Sequence, residues 1–362
     1  MAHAPRNPLV PDRDGVSPSC IATPPGPWPR LLDFLAERLP ALDRASWAQR
    51  MQTGWVWSDA AQPLAPDAPY TPHTRVYYWR HAEAEPALPW PARVLFQDAH
   101  LVVADKPHFM PVTPSGPFVQ RSLLVQLKRE LGLPQLSPIH RIDRDTAGLV
   151  VFAVQAAERA AYQALFRDRN VHKRYEAVAP WAELPPAAVA EPAAAAPRPG
   201  AAAAWRGQWT RLPQPLMPEA PAAGIPAAGI PATGVHAGEP TAWCYRSRLV
   251  QDPHFFTMHE AAGEANCETH LQLLARHGPW GRYALVPHTG RRHQLRAHLN
   301  ALGLPIRHDP YYPRVSRRAD DPDDVQHPLQ LLAQALGFHD PVTGEDRHFT
   351  SGQSLTWPPI GT

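Results

Sequence analysis

The stretch His140-Arg141-Ile142-Asp143-Arg144-Asp145-Thr146-Ala147-Gly148 mixes basic, acidic and small residues ahead of an apolar run from Leu149 to Ala153. A loop of this kind, leading into a buried strand, can hold a carboxylate by backbone hydrogen bonds and aim it into a cleft. There the group can serve as nucleophile, as charge stabiliser or in proton transfer. The same residues also allow a structural reading, in which Asp143 caps a turn or pairs with Arg141. Two basic stretches surround this loop. Residues 121–175 carry ten Lys/Arg against five acids, and residues 282–298 carry Arg282, Arg291, Arg292 and Arg296 with no acid. Together they could line a site for a polyanion, or they could be two solvated helix faces.

The second stretch also holds His288, His293 and His298. A spacing of five turns successive residues about 140° around a helix, so they cannot share one face as an i, i+4 zinc pair does. No metal site is expected from them. Cys20, Cys244 and Cys267 are too few and too scattered for a disulfide framework or a four-cysteine zinc site. With 35 Lys+Arg against 33 Asp+Glu the net charge is only +2, so any polyanion site must be a local patch. No apolar run reaches about 18 residues, which argues against a membrane span. The opening MAHAPRNPLVPDRDG has no apolar core of a secretory signal. A cytoplasmic protein is expected.

At 362 residues the chain is long enough for about two domains. Residues 1–29, rich in proline and without periodicity, read as a flexible arm. Residues 30–80 read as a small unit of helix, helix, strand, strand, from the near-helical spacing of Leu31, Leu32, Phe34, Leu35 and Leu39 and two β-like runs at 53–58 and 74–80. A linker at 81–92 precedes the larger unit, 93–362. That unit opens with a hairpin over 94–107. A helix at 120–132 ends in Gly132, and a loop runs into a strand over 139–154. A helix at 158–170 and a strand at 173–179 follow. Residues 181–241 alternate Ala, Pro and Gly, which block both helix and ladder, and read as a flexible surface insertion. A helix at 291–303 and a last helix and strand over 328–340 complete an α+β pattern.

HRIDRDTAGLVVFA (140–153) resembles the HRLD-x-x-T-S-G-L-L-L-F-A motif of the RluA-type RNA pseudouridine synthases. LFQDAHLVVADKP (95–107) resembles that family's first motif, and HKRY (172–175) its K-x-Y motif. HTGRRHQLRAHLNALGLPIRHDPYY (288–312) is similar to its T-G-R-x-H-Q-L-R-x-H motif and the G-D-x-x-Y that follows. The resemblance covers about residues 93–350 outside 181–241. Residues 30–80 look weakly like the small RNA-binding module shared with a ribosomal small-subunit protein. Ala147 stands where the family commonly has Ser, Arg292 where it has Thr or Ser, and His308 where it has Gly.

The resemblance implies an α+β fold: a curved, mainly antiparallel mixed sheet with flanking helices and a central cleft, preceded by a small α/β module. It implies isomerisation of uridine in structured RNA, rRNA or tRNA, without a cofactor or metal, by a monomer. Its alternative is an inactive RNA-binding module. Asp143 would be the catalytic carboxylate. Arg296 would pair with it, a planar guanidinium being able to hold a carboxylate bidentately and keep it charged. Tyr175 would stack on the target uracil. Arg141 would fill the space left by the extruded base, while Lys173, Arg291, Arg292 and Lys106 would contact RNA or shape the cleft. His140, Thr146, Gly148, Leu149, His293 and Gln294 would support these groups.

Overall fold

The computed structural model describes residues 7, 9–80, 85–182, 207–216, 241–253, 255–318 and 321–358. Contacts divide the chain into one unit of residues 1–87 and 113–135 and a second of residues 88–112 and 136–362.

The first unit contains strand β1 (Ser19–Ala22), helices α1 (Leu31–Arg38) and α2 (Arg44–Gln52), strands β2 (Val56–Ser58) and β3 (Arg75–Tyr78), and helix α3 (Leu123–Leu131). Asp43 starts α2 by accepting the Ser46 N–H at 2.7 Å. Leu31, Leu32, Phe34 and Leu35 of α1 are buried with Trp47, Met51, Val56 and Val76. The expected helix, helix, strand, strand order is present. The flexible arm is corrected for its described residues. β1 pairs antiparallel with β3, and Val10 is buried with Tyr77 and Trp79. The Arg13 guanidinium lies 4.1 Å from the Trp79 ring centroid. These segments are too short to show a period of their own, and the partners that order them lie 50 or more positions away. Because α3 belongs to this unit, the basic stretch 121–175 is split between the two units. One of its charges, Lys128, is paired with Asp12 at 2.9 Å.

The second unit begins with β4 (Arg93–Gln97), β5 (Leu101–Lys106), β6 (Ser137–Pro138), β7 (Ala147–Ala153), α4 (Arg159–Arg167) and β8 (His172–Pro180). β9 (Gln208–Arg211), β10 (Ala242–Ser247), β11 (Leu249–Gln251), β12 (Met258–Glu260), β13 (Cys267–His277) and β14 (Trp280–Pro287) follow. The chain closes with α5 (Gln294–Ala301), β15 (Leu331–His339) and β16 (Asp346–Thr350). Among the described residues the main sheet runs β4-β5-β7-β15-β8-β14-β13-β10-β9, with β16 on β15 and β6 on β7. Its pairings are antiparallel except β7 with β15. The fold is thus the expected α+β arrangement on a mainly antiparallel mixed sheet.

All seven residues of β7 are buried, as a central strand covered on both faces requires. Tyr162 and Leu165 of α4 pack with Leu101, Val103, Leu149 and Val151, so Leu149 is a core residue beneath the loop that precedes it. Leu295 and Leu299 of α5 pack with Ala177, Leu271 and Leu285.

Two expectations change here. Residues 328–340 hold no helix: β15 is inserted between β7 and β8, and the pairing on both edges overrides a run whose apolar spacing also suits a helix. Within 181–241, Gln208–Arg211 form a strand on β10, with Trp209 stacked on Trp243 at 4.9 Å. Residues 183–206 and 217–240 of that stretch, read above as a flexible surface insertion, lie outside the described residues. No helix among the described residues is long and apolar enough to cross a membrane.

Candidate active site

The loop before β7 is tied at several points. The Val151 N–H donates to His140 Nε2 at 3.1 Å, and the His140 ring stacks on Phe166 at 4.4 Å. Burial pushes the His140 pKa down to about 3, so the ring is neutral and accepts. Buried Thr146 donates its N–H to the Asp143 carbonyl at 3.2 Å. Gly148 has φ +112°, and a Cβ placed there would lie 2.3 Å from the Ala333 carbonyl oxygen. Only glycine lets β7 approach β15 this closely.

Lys106 does not face solvent. It is fully buried, and its Nζ donates to the carbonyls of Pro107 at 2.8 Å and Arg144 at 3.0 Å. Of the two expected roles, contact with RNA phosphate is corrected for this buried amine, and what its bonds fit is shaping of the cleft, since it braces the loop that carries Asp143. Burial lowers its pKa to about 7, with Asp145 and Asp143 opposing the fall.

The central finding is a guanidinium between two carboxylates. Arg296 donates Nε to Asp309 Oδ2 at 2.8 Å and Nη2 to Asp309 Oδ1 at 2.6 Å. Its remaining nitrogen, Nη1, reaches Asp143 Oδ2 at 3.3 Å. The bidentate partner is therefore Asp309, and Asp143 receives a single, longer bond. The side chains of Arg296 and Asp309 are 1% and 0% exposed, whereas that of Asp143 is 30% exposed. Asp309 is itself fixed, since its Oδ1 also accepts the N–H groups of Tyr311 at 2.9 Å and Tyr312 at 3.2 Å. Burial works against the Arg296 charge, but Asp309 first, then Asp143 and Asp145, outweigh it and raise its pKa. Asp143 is the one member of the trio that faces both a permanent cation and solvent.

Tyr175 joins this site across the sheet. It sits opposite Ala333 of β15, which sits opposite Gly148 of β7. At about 4.8 Å per strand, its backbone lies about 10 Å from that of Gly148. Burial, and then the Asp143 charge, raise the phenol's pKa, so the hydroxyl keeps its proton.

α5 is set by its first residues. His293 takes a left-handed conformation at φ 50° and brings Nε2 to 4.0 Å from Asp143 Oδ2. Burial lowers its pKa despite Asp143. Gln294 donates to the Glu268 carbonyl and to Thr269 Oγ1, each at 2.9 Å. Its Oε1 accepts Thr289 Oγ1 at 2.7 Å and the Arg291 N–H at 3.1 Å. Arg141, Arg291 and Arg292 are exposed and Lys173 is half-buried.

Two further features went unassigned in the sequence. Asp309 had a visible signal, the HDPYY run similar to G-D-x-x-Y. The second feature had none. Buried Asp145 accepts Arg317 Nη2 at 3.0 Å on both oxygens, while Arg317 and Arg144 both bind Asp323. This network joins residues some 170 positions apart.

The RNA pseudouridylate synthase family model matches residues 100–301, more than half the chain and the span that supplies Asp143, Tyr175 and Arg296. The chain belongs to this family. The synthase is similar to an uncharacterised RNA pseudouridine synthase of Synechocystis, 27% identical over 282 residues that cover 78% of this chain and 79% of the relative. It is also similar to the dual-specificity RNA pseudouridine synthase RluA of Haemophilus influenzae, 27% identical over 71% of this chain and 91% of that protein. Among solved structures, human RNA pseudouridylate synthase domain containing 1 covers 75% of this chain and 86% of its own at 19% identity and a TM-score of 0.47. The synthase is an isomerase that acts on RNA and converts uridine to pseudouridine.

Proposed function

We propose that Asp143 is the catalytic carboxylate, that Tyr175 holds the target base, and that Arg296 fixes and charges Asp143 while Asp309 fixes Arg296. The observation that carries this reading is the asymmetry of the trio. The Asp309 end of Arg296 is dry and doubly hydrogen-bonded, and the Asp143 end is open and singly bonded.

Isomerisation breaks the bond from uracil N1 to ribose C1′, turns the ring and joins C5 to C1′. C5 loses a proton and N1 gains one, with no net redox change or hydrolysis. A charged carboxylate beside the ribose can attack carbon, stabilise positive charge or take up a proton. Tyr175, which stays protonated, offers a face for stacking and a hydroxyl that donates. The uridine must first leave its stack, at a cost of a few kcal/mol. Exposed Arg141, two residues before Asp143 in the chain, is suited to fill the vacated space, and exposed Arg291 and Arg292 and half-buried Lys173 to meet phosphates.

The substrate in this reading is structured RNA, rRNA or tRNA, and the first unit adds affinity for it. The test is pseudouridine mapping across total RNA from cells with the wild-type chain and with Asp143→Asn alone. Loss of the modification at one or a few positions names the substrate. Full modification by the variant would overturn the assignment of Asp143.

A further inference from the structure

Strand register places four chemically unusual side chains on one patch of the main sheet. Cys244 of β10 is directly opposite His270 of β13. Glu268 lies two residues before His270, on the same face. His288 follows β14 two residues after Val286, which is opposite His270, and so extends the same face. The neighbouring residues of β13 point the other way: Thr269 Oγ1 bonds His298 and Gln294 of α5, and Leu271 packs in the core beneath that helix. Tyr175 also packs against that core. The patch therefore occupies the face of the sheet turned away from Tyr175 and α5.

The distances within the patch are short. Donor atoms of Cys244, Glu268 and His270 all lie within 4.8 Å of one another. His270 Nε2 is 2.8 Å from Glu268 Oε1, and its Nδ1 is 3.0 Å from His288 Nε2. Cys244 is buried, and the Glu268 and His270 side chains are 24% and 16% exposed. Arg246 Nε occupies the other oxygen of Glu268 at 2.6 Å and leaves Oε1 turned to the imidazole.

We propose that Cys244, Glu268 and His270 form a binding site for a zinc-like divalent cation, with His288 and Arg246 as its outer partners. Tetrahedral zinc, with bonds of about 2.0–2.3 Å, separates its ligand atoms by about 3.3–3.7 Å. The three donor atoms, within 4.8 Å of one another, have to close by about 1 Å to reach that spacing. A mixed thiolate, imidazole and carboxylate set selects a borderline ion rather than magnesium or calcium. Binding converts the Cys244 thiol to thiolate and releases one proton to solvent. The thiolate and the carboxylate then balance the two positive charges. His288 orients His270 through its second nitrogen, as outer partners of histidine ligands do. The ion bridges β10 to β13, so its role is to staple the sheet, and it touches no atom of the Asp143 site.

The test uses the full chain, reduced and stripped of metal, titrated with Co²⁺ and then back-titrated with Zn²⁺. The expected result is one equivalent of Co²⁺ with tetrahedral d–d bands and a thiolate-to-cobalt charge-transfer band, both erased by zinc. Cys20→Ser should keep the charge-transfer band and Cys244→Ser should remove it, with near-UV circular dichroism reporting the fold of each. His288→Ala changes an exposed residue and should weaken binding 10- to 100-fold. Absence of the band in the wild-type chain, its survival in folded Cys244→Ser, or unchanged affinity in His288→Ala would each overturn the proposal.

Discussion

Two loops grip the same guanidinium, and they do so differently. The loop after α5 offers Asp309, wholly buried, doubly bonded to Arg296 and further held by its own backbone N–H groups. The loop before β7 offers Asp143, part-exposed and held to Arg296 by one bond of 3.3 Å. A carboxylate that spends all its lone pairs on protein stabilises structure, and one that keeps an oxygen towards solvent retains capacity to react. The contrast shows how one cation can serve both, because its planar fork fixes the first carboxylate and presents the second.

The contrast is sharpened most by exchanging each acid for its amide. Asp143→Asn should lower single-turnover pseudouridine formation by about 10⁴-fold or more and change unfolding free energy by less than about 1 kcal/mol. Asp309→Asn should do the reverse in emphasis. It strands a buried cation, so urea unfolding should report a loss of about 3–5 kcal/mol. Equal stability losses in the two variants would mean that the two carboxylates are held alike.

Smaller effects probe the surroundings. Tyr175→Leu removes an aromatic face worth about 1–3 kcal/mol per stacked base, so kcat/KM should fall roughly 5- to 150-fold. Tyr175→Phe should stay within about tenfold of wild type if stacking dominates. The Lys106 amine titrates near 10.5 when unfolded and near 7 when folded. Between those values the unfolded chain binds more protons, so this group makes stability rise with pH. From pH 6 to 8 the rise is on the order of 1 kcal/mol. Lys106→Met should flatten it in pH-resolved chemical denaturation, and an unchanged slope would remove Lys106 as its source.

Where a residue's surroundings are local, the sequence already reveals them. The loop before β7, the strand that follows, the helix carrying Arg296 and the glycine ending α3 are each declared within a few positions. The sense of the Arg296 pairing was hidden, because Asp309 and Asp143 differ only in what lies around them once the chain is folded. For the same reason the sequence leaves Lys106 open between phosphate contact and cleft shape, since a lysine after an apolar run gives no sign of the carbonyls that receive it. The run over 331–339 suits helix as well as strand in isolation, and its identity is conferred by the neighbours on its two edges.

The position of β15 between β7 and β8 sets an order of events during synthesis. The Asp143 loop and Tyr175 leave the ribosome early, yet the strip of backbone that spaces them is made more than 150 residues later. Nascent chains stalled before residue 331 carry every proposed reacting group and lack the spacer. Such fragments should therefore bind RNA without modifying it, and catalytic competence should arrive abruptly once residues 331–339 have been made.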